Sequence, residues 1–188
     1  MIEAELKAHV REPAAVRERL LMLAAGYNSI YHDTYYDWPT RGLSTDGREL
    51  RLRLIEASGE SRALLTYKEP AIDPASGSKP EYETYVEDSS AVDVMLRGLG
   101  LKRIVAFEKR CTNYRFTASG RDMLATVVEV PELDGTFIEL ETMTSEGDAA
   151  AALADVRALL AQLGIIEDDL TSELYTDAVM RAREPRRA

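Results

Sequence analysis

Polar and apolar residues alternate singly through the start of the chain: Ile2, Ala4 and Leu6 occupy one phase, Glu3, Glu5 and Lys7 the other. Alternate side chains of a strand share a face, so the three charges point the same way at steps of ~6.6 Å. The apolar phase suits packing onto a core, and the charged phase suits a polar-lined interior or cleft. Phe137-Ile138-Glu139-Leu140-Glu141 repeats the pattern late in the chain. The two segments gather carboxylates as a divalent-metal site does.

The same reading places elements along the chain. Residues 1–8 form a strand. Pro13 suits the first turn of a helix whose stripe of Val16, Leu20, Leu21 and Leu23 runs to about Ala25, with Gly26 as its stop. Strands are expected at 29–37, Glu49–Glu56, Ser61–Glu69, Glu81–Glu87, Lys102–Tyr114, Met123–Val130 and Thr136–Thr142. Ala57-Ser58-Gly59-Glu60 reads as a hairpin turn, and a second hairpin is expected around Gly120. Pro39–Gly47 reads as a loop, and Ala71–Pro80 as a polar, mobile one. Further helices are expected over Ser90–Arg97, Asp148–Leu163 and Leu170–Arg183, with a frayed basic tail at 183–188. Similar helix ends before Gly26 and Gly98 hint at two related halves; the simpler reading is that glycine stops helices.

Five segments place like-phased charge on one face: Glu3/Glu5/Lys7, Arg51/Arg53, Thr66/Lys68, Glu81/Glu83 and Glu139/Glu141. Any one alone reads as a solvated sheet face. Together they imply more, because helices must cover the apolar faces and the polar faces must then meet. A closed sheet would bring carboxylates and cations into one lumen. Such charges are costly to bury unless they pair or bind something. A divalent ion with a polyphosphate would satisfy both sets: carboxylates hold Mg²⁺ or Mn²⁺, and Arg and Lys hold phosphate oxygens.

Bulk properties narrow the class. The chain has 188 residues, 45% hydrophobic and 30% charged, which fits one globular domain without an internal linker. Its single cysteine, Cys111, excludes an internal disulfide and fits a reducing cytosol. No secretion signal or apolar run of membrane length is visible, so a cytoplasmic location is expected. A net charge of −10 disfavours nucleic acid and anionic membranes as partners. His9 and His32 lack ligand spacing, Cys111 has no nearby His or Cys partner, and Trp38 with the Tyr31, Tyr35 and Tyr36 cluster reads as packing. No glycine-rich phosphate loop is present, so side chains would have to bind phosphate.

Glu3-x-Glu5-x-Lys7 resembles the opening signature of the CYTH superfamily, whose members include class IV adenylyl cyclases, thiamine triphosphatases and inorganic triphosphatases. The resemblance continues in order through Tyr35-Tyr36-Asp37, Leu50-Arg51-Leu52-Arg53, Leu65-Thr66-Tyr67-Lys68-Glu69-Pro70, Lys79-Pro80-Glu81-Tyr82-Glu83, Lys109, Gly135 to Glu141, and Ser172 with Tyr175. The segments around Pro70 and before Glu81 are most similar to the class IV cyclase branch. The resemblance implies an α+β fold over the whole chain: an eight-stranded antiparallel barrel, the triphosphate tunnel, flanked by helices. It implies that Glu3, Glu5, Glu139 and Glu141 hold Mg²⁺ or Mn²⁺. It implies that Lys7, Arg51, Arg53, Lys68 and Lys109 hold phosphates, with Lys7, Lys68 and Arg53 closest to the chemistry.

Two positions depart from the family pattern. The family has Lys-x-Arg where this chain has Lys109-Arg110-Cys111; Arg110, adjacent to Lys109, is taken as a further substrate-binding candidate, and Arg115 shares the phase of Lys109. The family also carries an Asp metal ligand just before the Gly135–Glu141 motif. Counted without a gap that place is Glu129, a further metal candidate; counted with a one-residue insertion it is Val128. The activity implied is metal-dependent conversion of ATP to cyclic AMP and pyrophosphate. Hydrolysis of inorganic tripolyphosphate or an organic triphosphate is the alternative, and a non-catalytic polyphosphate or nucleotide binder is another. A homodimer is possible on this reading.

Overall fold

The computed structural model describes residues 2–71 and 78–184. Its elements in order are β1 (Ile2–Val10), α1 (Pro13–Leu21), β2 (Gly26–Asp37), α2 (Gly42–Thr45), β3 (Glu49–Ala57), β4 (Glu60–Lys68), β5 (Lys79–Val86), α3 (Ser89–Gly98), β6 (Lys102–Ala118), β7 (Arg121–Glu129), β8 (Thr136–Thr144), α4 (Ala149–Gln162) and α5 (Tyr175–Arg183). The strands close into a barrel in the order β1-β5-β4-β3-β2-β6-β7-β8. Every pairing is antiparallel. Apart from the short α2, each half runs strand, helix, three strands, as the similar helix ends hinted.

Outward faces are apolar and lie under the helices. Leu6, Ala8, Val127, Ile138 and Leu140 pack with Val16 and Leu20 of α1 and with Val156, Leu159 and Leu160 of α4. Each large aliphatic side chain buried there contributes about 1.5–3 kcal/mol. Tyr36 and Leu52 meet Val92 and Leu96 of α3 on the other side. With helices covering the outside, the charged phases of β1, β3, β4 and β8 are turned inward.

Two hairpins lie at one end of the barrel. Ser58 and Gly59 both have positive φ, at 53° and 82°, and join β3 to β4; Ser119 and Gly120, at 52° and 71°, join β6 to β7. Positive φ at both central residues twists a two-residue turn to match its strands. Several boundaries differ from the sequence reading. α1 ends at Leu21, and Gly26 opens β2 rather than stopping a helix. A side chain there would meet the Tyr114 ring at 2.8 Å, so Gly26 permits close packing of β2 on β6.

α5 begins at Tyr175 rather than Leu170. The preceding residues stay extended because Leu170 bridges Ala8 and the Thr171 amide donates to the Lys7 carbonyl at 2.9 Å. This segment lies beside β1 where β5 does not reach: β5 pairs with β1 only at Ile2 and Glu3. The expected loop at 71–80 falls largely on residues 72–77, outside those described; Lys79 and Pro80 belong to β5. Most of the expected frayed tail, residues 185–188, lies outside them too, while Arg183 still belongs to α5 and holds Glu132 at 2.6 and 2.8 Å. No helix among the described residues is long and apolar enough to cross a membrane.

Candidate active site

The inward faces of the strands line a cavity of about 250 Å³ containing Glu3, Glu5, Lys7, Arg51, Arg53, Lys68, Lys109, Glu139 and Glu141. Register explains the convergence of the chain's ends. β1 pairs with β8 so that Glu5 faces Glu141 and Lys7 faces Glu139. Glu3, Glu5 and Glu141 each offer a carboxylate oxygen, and the three lie within 4.8 Å of one another. An all-oxygen donor set of this kind fits Mg²⁺ or Mn²⁺.

The acidic side is frustrated without a cation. Burial, then Glu3 and Glu139, raise the Glu5 pKa from its ordinary value to about 7. Burial, then Glu3 and Glu5, hold Glu141 well above the carboxylate range. Glu3 is the exception: burial would raise it, but Lys68 overrides that effect and leaves it at about 2. Lys68 reaches Glu3 directly and Glu81 at 3.0 Å.

The cations stand around the carboxylates. Lys109 donates to both oxygens of Glu139, at 2.8 and 2.9 Å. Arg53 grips Asp33 through Nε and Nη2, at 2.6 and 2.7 Å. Asp33 is pulled down to about 2: burial pushes it up, and the Arg53 charge prevails. Arg51 donates from Nη2 to Thr66 at 3.3 Å, while its buried Nε has no acceptor among the described residues. A buried donor without an acceptor is costly, and a phosphate oxygen would satisfy it.

Lys7 takes a different environment. Its ammonium donates to the Glu173 carbonyl and sits 4.4 Å from the centre of the Tyr175 ring. The Lys109 ammonium lies 4.6 Å from the same ring. Burial lowers the Lys7 pKa, against the pull of Glu139 and Glu5.

Eleven sequence-derived candidates thus divide by position. Glu3, Glu5, Lys7, Arg51, Arg53, Lys68, Lys109, Glu139 and Glu141 face the interior. Within that set Glu139 is engaged with Lys109 and stands apart from the carboxylate trio. Glu129 and Arg110 are corrections. Glu129 is half exposed on the outer surface and pairs with Arg17 at 2.8 Å. Arg110 points outward beside Glu108 at 2.8 Å. The reason is register: Cys111 faces Val128, so their neighbours Arg110 and Glu129 take the outer phase. Val128 is fully buried, so the place where the resemblance gives Asp is apolar here.

Asp33, Glu49, Lys79 and Tyr175 also line the site or bind its residues, yet their roles were not read from the sequence. Lys79 bonds Glu49. Their signal was strand phase: Asp33 lies two residues from Tyr31 and Tyr35, which line the same cavity.

Comparison with known proteins agrees with this architecture. The family model of the CYTH domain matches residues 1–175. A Methanocaldococcus jannaschii protein, provisionally named an adenylate cyclase, is 28% identical over 178 residues, covering 94% of this chain and 98% of that protein. A solved Pyrococcus horikoshii structure is 26% identical with a TM-score of 0.83, over 96% of this chain and 99% of that one. A Hippeastrum structure shares the fold at 16% identity, with a TM-score of 0.66 and 96% coverage of each chain. The chain belongs to the CYTH domain family.

Proposed function

We propose that the barrel interior binds the triphosphate of a nucleotide together with Mg²⁺ or Mn²⁺, and that the enzyme converts ATP to cyclic AMP and pyrophosphate. The observation that carries this reading is the carboxylate trio of Glu3, Glu5 and Glu141 set among inward-facing Arg and Lys side chains. Negative and positive groups in one cavity match a cation and a polyanion bound together. The provisional cyclase name of the Methanocaldococcus jannaschii relative supports the choice of reaction.

Glu3, Glu5 and Glu141 would hold the ion. When bound, Mg²⁺ or Mn²⁺ supplies neutralisation of charge on the reacting phosphate and the leaving oxygen. Arg51, Arg53, Lys68 and Lys109 orient the phosphate chain and stabilise charge that develops on it. The 3′-hydroxyl attacks the α-phosphorus, and the bond to the β-phosphate oxygen breaks, releasing pyrophosphate. Burial lowers the Lys7 pKa, which makes Lys7 one candidate to take the hydroxyl proton.

The same site with water as nucleophile gives the second reading, hydrolysis of a triphosphate. It is favoured by the Hippeastrum structure, a provisionally named adenylyl cyclase whose dominant activity is that of a triphosphatase. Product identification separates the readings. Purified protein is incubated with Mg²⁺ or Mn²⁺ and ATP, then with tripolyphosphate. Cyclic AMP with pyrophosphate supports cyclisation; orthophosphate supports hydrolysis; binding without turnover leaves a non-catalytic binder.

A further inference from the structure

We propose that the hairpin end of the tunnel is a subsite for a nucleobase, with Tyr85 as its stacking platform, so that the site takes nucleoside triphosphates in preference to inorganic tripolyphosphate. This rests on the triphosphate reading above and adds the organic part of the substrate.

The chemistry of the cavity wall changes along its length. In the middle, charge faces charge: Lys68 with Glu3 and Glu81, Arg53 with Asp33, Lys109 with Glu139. Two residues further toward the hairpins, β3, β4 and β7 turn apolar side chains inward, while Glu141 of β8 stands opposite Leu124. Ile55 follows Arg53 on β3, Leu64 precedes Thr66 on β4, and Leu124 precedes Thr126 on β7; all three line the same cavity. Ile55 and Leu64 are buried. A polyphosphate gains nothing from aliphatic walls, whereas an organic group does.

Beside these apolar residues stand aromatic and guanidinium groups. Register sets Tyr85 opposite Leu64, Arg62 opposite Ile55, and Arg115 opposite Leu124. Tyr85 lines the cavity yet is 67% exposed, so its ring faces open space at the mouth. The Arg62 guanidinium carbon lies 5.9 Å from the Tyr85 ring centre. Arg115 is anchored by its Nε donating to the Tyr27 hydroxyl at 3.2 Å. The acidic groups at this end are Glu83, which accepts from Thr66 at 3.1 Å, and Glu141, opposite Leu124.

Position supports the assignment. Tyr85 is four residues along β5 from Glu81, which bonds Lys68 at the charged middle, a separation of about 13 Å along an extended strand. A ribose and base appended to a phosphate chain extend over a comparable reach. The opposite end of the cavity is occupied by residues Thr171, Ser172, Leu174 and Tyr175. An organic group on the triphosphate therefore has the hairpin end to occupy.

The mouth also selects the kind of organic group. An exposed tyrosine with a neighbouring guanidinium stacks on planar bases, and arginine donors meet their acceptor edges. Arg62 and Arg115 disfavour a cationic ring such as a thiazolium.

The test compares two probes by calorimetry with Mg²⁺: a methylene-bridged ATP analogue and inorganic tripolyphosphate. Each is titrated into the wild type, Tyr85→Ala and Tyr85→Phe. The ratio of analogue affinity to tripolyphosphate affinity is expected to fall roughly tenfold in Tyr85→Ala and to stay near wild type in Tyr85→Phe, which keeps the ring. An unchanged ratio in Tyr85→Ala, or an equal loss in Tyr85→Phe, overturns the subsite. So does a wild type that binds tripolyphosphate and not the analogue, and in that case the triphosphate reading stands. Failure to bind either probe overturns both.

Discussion

Glu5 and Glu141 are direct cross-strand partners on β1 and β8, and both carboxylates enter the same cavity. Like charges opposed in this way destabilise a sheet. The Glu5 pKa of about 7 lies above its ordinary 4.5, so the folded, metal-free protein holds a proton that the unfolded chain releases. The stability this contributes is present below the unfolded value and is lost as pH rises through about 7. Thermal unfolding without metal should therefore show a falling midpoint between about pH 5 and 7. Glu5→Gln should flatten that fall and raise the midpoint at pH 8 by about 2–4 °C, the effect of roughly 1 kcal/mol in a chain of this size. It should also abolish stabilisation by Mg²⁺ or Mn²⁺. A variant that metal stabilises as well as the wild type contradicts the ligand assignment.

Arg53 has a structural task as well as a proposed phosphate-binding one. Its forked bond holds an Asp33 side chain that is wholly buried. Arg53→Ala leaves that carboxylate unpaired and should cost about 3–5 kcal/mol in urea unfolding. Pairing it with Asp33→Ala should recover much of the loss. If Arg53→Ala unfolds like the wild type, the ion pair is not the buried clamp described here. Loss of activity in Arg53→Ala alone is therefore not a measure of substrate contact.

The Tyr175 ring lies beside both the Lys7 and Lys109 ammonium groups. A ring face attracts a cation by about 0.5–2 kcal/mol, more when water is excluded. Tyr175→Leu should weaken tripolyphosphate binding about fivefold, while Tyr175→Phe should bind nearly as the wild type. Equal losses in both variants would assign the effect to the hydroxyl instead of the ring.

Much of this arrangement was legible in alternation alone. β1, β3, β4 and β8 each keep one apolar and one charged phase, so Glu3, Glu5, Arg51, Arg53, Lys68, Glu139 and Glu141 declared a common interior. β2 did not, because Tyr35 and Tyr36 are both buried on opposite faces and erase the alternation around Asp33. Glu129 and Val128 could be told apart only by the pairing of β7 with β6. Gly26 read as a helix stop because the Tyr114 ring that crowds it comes from a residue 88 positions away in sequence, across the β2–β6 pair. The extended stretch before Tyr175 likewise depends on a distant partner, the free edge of β1.

Outer-surface residues give a contrast. Glu129→Gln should leave Mn²⁺ affinity within about twofold of wild type and change stability by no more than about 0.5 kcal/mol, since its partner Arg17 is an exposed ion pair. A large loss of Mn²⁺ binding would restore Glu129 to the metal site.

Cys111 is buried on the inner phase, and burial pushes its thiol up to about 12. It should resist an aromatic disulfide reagent at pH 8 in the native protein and react once in denaturing urea. Rapid native reaction would mark it as an accessible nucleophile.

The most direct measurement is anomalous diffraction from crystals soaked with Mn²⁺ and tripolyphosphate. One manganese peak bonded to Glu3, Glu5 and Glu141, with the phosphate chain lying against Arg51, Arg53, Lys68 and Lys109, is the predicted result. Manganese bound elsewhere, or tripolyphosphate bound outside the barrel, contradicts it.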